Sequence, residues 1–232
     1  MKLDNSLIKR FANNLAQNVN LSNYSWFNLG GNAEYFFKAK DKSELFEFLK
    51  IAKKENLKTT ILGAGSNTLF RDNGVKGVVI KLGANFSFIK LIDKNILEVG
   101  AATLDRKVAN FARDNHLGNL EFLSCIPGSI GGAIIMNSGC YNSDISKVLM
   151  SIKVFDVKKL SEIELKKEDI EFFYRGTNLP KDLIVISAKL KGLVSNKEDI
   201  EKKQMDFIEK KKLAQPSQVK TCGSTFKNVS KD

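Results

Sequence analysis

A single histidine, His116, and three cysteines, Cys125, Cys140 and Cys222, are all the soft metal ligands that 232 residues offer. None stands at the spacing of a zinc site, and three thiols cannot all pair within one chain. A metal scaffold and a disulfide scaffold are therefore both disfavoured, and reduced thiols are expected. Three prolines and no low-complexity block leave nothing like a Pro-rich linker. No window approaches the roughly 18 apolar residues that a membrane-spanning helix needs. The opening MKLDNSLIKRF lacks the unbroken apolar stretch of a secretion signal. These absences lead us to expect a cytoplasmic chain with no membrane partner. The lone histidine has no motif around it, so no base is in sight for a nucleophilic serine. His116 is expected to be structural, near a helix C-terminus.

Positive charge is plentiful. The net charge is +11 and the isoelectric point about 9.4. The excess is spread evenly, +6 over residues 1–150 and +5 over residues 151–232, with its densest run at Lys210-Lys211-Lys212. A nucleic-acid-binding module would concentrate such charge in a patch or tail, so the even spread argues against a nucleic-acid partner. Solvated lysines and a basic pocket for an anionic small ligand both remain open. Hydrophobic residues make up 43% and Phe alone 16 positions, enough apolar mass for a real core.

Periodicity outlines a mixed α+β chain without internal repeats. Leu3, Leu7, Ile8, Phe11 and Leu15 share one face of a helix over residues 3–17. Residues 20–33 have the polar, Gly-containing character of a loop, followed by a short strand at 34–37. Asp41 with Glu44 three residues on starts a helix through Leu45, Phe48, Leu49 and Ala52 that ends near Asn56. Strands are expected at 59–62, 75–82, 96–99, 152–157 and 183–190. Thr103 is the expected cap of a helix holding Leu104, Val108, Phe111 and Ala112. Beyond a boundary near Ser195-Asn196, a polar helix over 197–213 carries Ile200, Met205 and Ile208.

Four segments have the composition of a site. Gly63-Ala64-Gly65-Ser66-Asn67 follows a strand. Its small residues let backbone N–H groups converge on a phosphate, or simply make a tight strand exit. It is neither a Walker A loop nor the G-x-G-x-x-G fingerprint. Ile126-Pro127-Gly128-Ser129-Ile130-Gly131-Gly132-Ala133 puts three glycines in five positions, followed by Met136-Asn137. Glycine loses the most entropy on folding, so the run suggests either a flat ligand passing over the backbone or a turn packed against a helix start. Arg175 follows Phe172-Phe173-Tyr174, as a half-buried anion-gripping guanidinium or a surface arginine packed on an aromatic ring. Ser224, after Gly223, is a hydrogen-bonding or proton-donating hydroxyl, or a turn serine.

Their order is more telling than any one of them. Phe27-Asn28-Leu29-Gly30-Gly31-Asn32-Ala33, Gly63–Asn67, Gly118-Asn119-Leu120-Glu121-Phe122, Ile126–Ala133, Met136-Asn137, Tyr174-Arg175 and Gly223-Ser224-Thr225-Phe226-Lys227-Asn228 together resemble the UDP-N-acetylenolpyruvoylglucosamine reductase family, from about residue 20 to residue 228. The resemblance implies a two-part FAD-binding module of the vanillyl-alcohol-oxidase or PCMH type, followed by a substrate-binding domain. The first part would take residues 1–83, with the N-terminal helix, and the second 84–195. Residues 196–232 would begin the third domain.

It also implies a reaction in peptidoglycan synthesis. NADPH reduces FAD, hydride passes from flavin N5 to C3 of the enolpyruvyl group, and protonation at C2 gives UDP-N-acetylmuramate. Gly63, Ala64, Gly65, Ser66 and Asn67 would hold the FAD diphosphate. Ile126, Pro127, Gly128, Ser129, Gly131, Gly132, Ala133 and Asn137 would line the flavin. Arg175 would stabilise the developing enolate and Ser224 would supply the proton, with Tyr174, Lys227 and Asn228 binding the UDP-sugar enolpyruvyl ether. A monomer without nucleic acid or metal is expected. After Asn228 the family continues with a proline and a Gly-rich stretch holding a catalytic glutamate, whereas here Val229-Ser230-Lys231-Asp232 follows. The expectation is a third-domain stub, with a catalytically impaired FAD-binding remnant as the alternative to an active reductase.

Overall fold

The computed structural model describes residue 3 and residues 5–215. Cys222, Ser224, Lys227 and Asn228 lie outside the described residues.

Helix α1 (Asn5–Arg10) is shorter than expected, because Leu15–Asn20 forms strand β1. Two asparagines, weak helix formers, separate the two, and β1 gains a ladder by pairing antiparallel with β2 (Asn32–Ala39). Phe11 and Leu15 still reach the core, by a turn rather than along one helix face; Phe11 sits edge-on to Phe37. A 3-10 turn at Leu21–Tyr24 occupies the segment expected to be loop. Helix α2 (Lys42–Lys54) starts as its sequence suggests: Asp41 accepts from the Glu44 N–H at 2.9 Å, and Glu44 accepts from the Lys40 N–H at 2.5 Å.

Strands β3 (Thr59–Leu62) and β4 (Val75–Leu82) complete a sheet in the order β1-β2-β4-β3, with β2, β3 and β4 parallel. Both faces of β2 and β4 are covered at their centres, which is why Tyr35–Phe37 and Val78–Ile80 are apolar without alternation. Tyr35, Phe37, Val78 and Ile80 join the main core with α2. Phe36 and Val79 face a smaller cluster with Leu21, Leu62 and Phe70.

The second sheet is antiparallel. Strands β5 (Ile89–Asp93) and β6 (Ile96–Gly100) form a hairpin that leads into α3 (Asp105–Asp114). Leu104, not Thr103, stands at the N-cap position of α3. The Thr103 hydroxyl is already used, donating to the Phe88 carbonyl at 3.1 Å. His116 closes α3 with φ +60. Strand β7 (Leu117–Gly118), a 3-10 turn at Glu121–Cys125, helix α4 (Ile130–Ile135) and the ladder of β8 (Gly139–Cys140) with β9 (Ser143–Asp144) follow.

After α5 (Ile145–Val148) come β10 (Leu149–Asp156), β11 (Ser161–Lys166), the hairpin β12 (Phe172–Phe173) and β13 (Gly176–Thr177), and β14 (Leu183–Lys191). The sheet order is β11-β10-β14-β6-β5. Strand β15 (Leu193–Val194) pairs with β7, and Asn196 caps α6 (Lys197–Ala214).

Helix α2 joins the two sheets. Its buried face belongs to the main core, Phe46 meets Phe155 edge-on at 5.4 Å, and Lys42 pairs with Glu162 at 2.8 Å. Helix α6 packs on α3 and the Glu121–Cys125 turn with Ile200, Gln204 and Phe207 inward. Met205, expected on that face, is exposed; Gln204 takes the inward position and donates to the Ala109 carbonyl at 2.9 Å.

Candidate functional site

The two glycine-rich segments, far apart in sequence, meet in space. The Ser66 hydroxyl and the Asn67 side-chain amide both donate to the Pro127 carbonyl, at 2.7 and 2.8 Å. Gly63 faces Ser129 so closely that a Cβ there would lie 2.8 Å from the Ser129 Oγ. One wall of the site is thus the turn leaving β3, and the other is the loop entering α4.

The first wall has the form of a cradle. Gly65 has φ +73, and a Cβ on it would fall 1.8 Å from the Tyr24 carbonyl, so only glycine fits. The Gly65 carbonyl accepts from the Trp26 N–H at 3.0 Å, which anchors the turn from outside. No N–H from Ala64 to Asn67 donates to another described backbone group. Behind the turn, the Lys81 ammonium donates to the Gly63 carbonyl at 2.6 Å. Burial, with a smaller contribution from the Lys38 charge, holds Lys81 below its ordinary lysine value. N–H groups without a described backbone acceptor, with an ammonium close by, suit a diphosphate.

The second wall rests on a buried acid. Asp105, in the first turn of α3, is fully buried, and neither of its carboxylate oxygens has a hydrogen-bond partner among the described residues. The Gly128 backbone lies directly over it: a Cβ at Gly128 would sit 2.5 Å from Asp105 Oδ2. Burial alone pushes this carboxyl up to about 8. Gly131 packs on Ala101, whereas a Cβ at Gly132 would meet nothing nearer than Ser129 Oγ at 4.0 Å, so space opens beside Gly132. Ala133 is buried in the helix and Ile126 is partly buried against the core.

Asn137 is not a free ligand group. Its amide donates to the Phe173 carbonyl and its oxygen accepts from the Ser146 N–H, both at 3.1 Å. That bond, with Thr177 Oγ1 donating to the Ile135 carbonyl at 3.2 Å, docks the β12–β13 hairpin on the end of α4. Arg175 occupies the hairpin turn at φ +60, a backbone conformation that costs a side-chain-bearing residue about 1 kcal/mol or more. Its guanidinium lies over the Tyr174 ring at 4.8 Å and donates to the Gly139 carbonyl at 2.7 Å. Ile135, Met136, Phe173 and Tyr174 leave apolar surface exposed along this edge, suited to a flat ring.

The structure therefore joins Gly63–Asn67 to Ile126–Ala133 at the start of α4, and places Asn137, Tyr174 and Arg175 together at its other end. A separate cleft beneath α6, lined by Glu121, Tyr141, Lys147 and Phe207 among others, contains none of them. Sequence reasoning missed Lys81 and Asp105. Lys81 is one polar position in a strand and Asp105 a common first-turn helix residue, so neither carries a local signal.

A mixed sheet and an antiparallel sheet meeting at two small-residue loops define an FAD-binding flavoprotein. Residues 33–158 match the FAD binding domain family. The fold is shared with a vanillyl-alcohol-oxidase-type flavoprotein of Myceliophthora thermophila, at TM-score 0.52 and 15% identity over 69% of this chain and 32% of that one.

Within that class the chain belongs to the UDP-N-acetylenolpyruvoylglucosamine reductase family of flavin oxidoreductases. It is 43% identical to the Pelagibacter ubique reductase, covering 95% of this chain and 74% of the relative. It is 42% identical to the Rickettsia bellii one, covering 91% and 70%. The crystal structure of the Thermus caldophilus reductase superimposes with a TM-score of 0.79 at 29% identity, over 93% of this chain and 74% of that one. Among the described residues, no helix is long and apolar enough to cross a membrane.

Proposed function

We propose that the chain reduces UDP-N-acetylenolpyruvoylglucosamine to UDP-N-acetylmuramate with NADPH, as a cytoplasmic, monomeric FAD enzyme of peptidoglycan synthesis. The observation that carries this reading is the double hydrogen bond from Ser66 and Asn67 to Pro127, which builds one site from both loops. Residues 1–83 and 84–195 are the two FAD-binding subdomains, and 196–232 start the substrate-binding domain.

The bound flavin supplies hydride transfer from NADPH to the enolpyruvyl double bond. The residues supply position and charge. Free N–H groups at Ala64–Asn67 hold the diphosphate, with the Lys81 charge behind them. Ile126, Pro127, Gly128, Ser129, Gly131, Gly132 and Ala133 line the ring. Asn137 braces the Arg175 hairpin instead of reaching the ligand. Arg175 grips the substrate carboxylate beside Tyr174 and stabilises negative charge as it builds toward the enolate. Ser224 protonates C2, and Lys227 and Asn228 bind substrate.

The purified chain should retain about one FAD and oxidise NADPH only when the UDP-sugar is present. Arg175→Ala should keep its FAD and lose about 10²–10³-fold in turnover. NADPH oxidation that ignores the UDP-sugar, or full turnover in the variant, would reject the reading.

A further inference from the structure

The Ile126–Ala133 segment is zipped to the stretch that leads into α3. The Asp105 N–H donates to the Gly128 carbonyl at 3.2 Å, the Ile130 N–H to the Thr103 carbonyl at 3.0 Å and the Gly131 N–H to the Ala101 carbonyl at 2.9 Å, with Leu104 bridged to Ser129 between them. One side chain is shut inside this zip. The Asp105 carboxyl is fully buried under Gly128, and its two oxygens are the only buried side-chain polar atoms without a hydrogen-bond partner among the described residues. Gly128 adjoins Pro127, whose carbonyl takes both bonds from the cradle. A movement of Gly128 is therefore passed to the joint between the two walls.

No charge stands ready to pair with this carboxyl. Residues 101–104 and 126–133 carry no ionisable side chain. Arg106 and Lys107, its neighbours in α3, are exposed, and Cys125 is the ionisable residue next to the loop. Farther along α3, Glu121 of the packed 3-10 turn pairs with Lys203, and Arg113 and Asp114 pair with Glu201 and Lys197 of α6. On the cradle side, Lys81 is committed to the Gly63 carbonyl. None of them contributes at Asp105, where burial acts alone. A carboxylate so placed must keep its proton or reach water. Reaching water requires Gly128 to lift, because the Gly128 backbone closes the carboxyl off.

We propose that Asp105 is a positioning residue of the flavin site and acts as its latch: neutral, it lets the Ile126–Ala133 loop stay zipped to residues 101–105, and on losing its proton it moves to water, the loop opens and FAD is released. The inference rests on the reading that the two loops hold FAD. With the loop closed, the carboxyl keeps its proton up to about pH 8; with the loop open and the carboxyl in water, only up to about pH 4. Between those limits opening releases one proton. Each pH unit then favours the open loop about tenfold, and above pH 8 the gain stops.

The test is hydrogen–deuterium exchange of the full flavin-free chain from pH 5 to pH 9, followed at the Ile130 and Gly131 amides. Their protection should fall about tenfold per pH unit up to pH 8 and then level off. The Val79 and Ile80 amides of β4 should stay better protected throughout, which separates loop opening from global unfolding. In Asp105→Asn, which keeps the shape and every other titrating group, protection of Ile130 and Gly131 should not change with pH. On the flavin-loaded parent, FAD release should quicken at least about tenfold from pH 6 to pH 8, and in the variant it should not. Circular dichroism checks the variant, and the parent profile decides if the variant misfolds. Loop protection or FAD release that ignores pH in the parent, the same response in the variant, or loop and β4 amides exchanging at one rate would overturn the proposal. A chain that binds no FAD at any pH would instead reject the two-loop cofactor site, and the protection profile still decides the latch.

Discussion

The two walls of the site do similar work with different physics. The turn at Gly63–Asn67 is held by backbone: Gly65 lies against the Tyr24 carbonyl and bonds to Trp26, and an ammonium sits behind it. The loop at Ile126–Ala133 is held over a buried carboxyl that has no hydrogen-bond partner among the described residues. The first wall is thus sensitive to shape and the second to charge and pH. A backbone wall fails abruptly when a side chain is added, whereas an electrostatic one can be tuned by protonation.

The largest effect should come from Gly65→Ala. The added methyl meets a carbonyl that cannot move without the Leu21–Tyr24 turn, at a φ that alanine resists. A loss of roughly 3 kcal/mol or more in unfolding free energy is expected, together with loss of FAD from the purified chain. Denaturant titration and flavin content check it, and a stable, flavin-loaded variant would break the contrast.

Gly128→Ala should cost less, about 1–3 kcal/mol, because the atom it meets is a side-chain oxygen. Combined with Asp105→Ala it should recover more than half of that loss. A double-mutant cycle without coupling would show that Gly128 does not rest on Asp105.

Asp105→Asn tests the charge itself. Burial lifts the carboxyl to about 8, so between its unfolded value near 4 and pH 8 the folded chain holds a proton that the unfolded chain releases. Stability therefore falls as pH rises through that window and levels off above it. The asparagine variant should match the parent near pH 4 and exceed it by up to about 5 kcal/mol at pH 8. Parallel stability curves from pH 4 to 8 would contradict this.

Ser66→Ala should be the mildest, at about 1 kcal/mol, because Asn67 still donates to the Pro127 carbonyl. Thermal melts measure it.

Strands 59–62 and 75–82 and helix 42–54 were legible because each carries its own periodicity and the helix its own cap. Leu15 misled because its spacing from Phe11 suits a helix face, whereas pairing with Phe37 makes it a strand. Thr103 looked like a cap until Phe88 claimed its hydroxyl. The glycine runs and Arg175 stood out in the sequence as candidates, but the hydrogen bonds that hold them in place did not. Asp105 and Lys81 owe their character to neighbours distant in sequence, and no local pattern records that.

The bond from Ser66 to Pro127 spans 61 residues. Neither sheet can assemble the site alone, so cofactor capture must follow their docking, late in folding. FAD then acts as a thermodynamic clamp on the docked arrangement. Its stabilisation grows as the logarithm of free FAD over its dissociation constant, about 2.7 kcal/mol at a hundredfold excess. Chains made when flavin is scarce would leave the junction between the sheets as the first place to open.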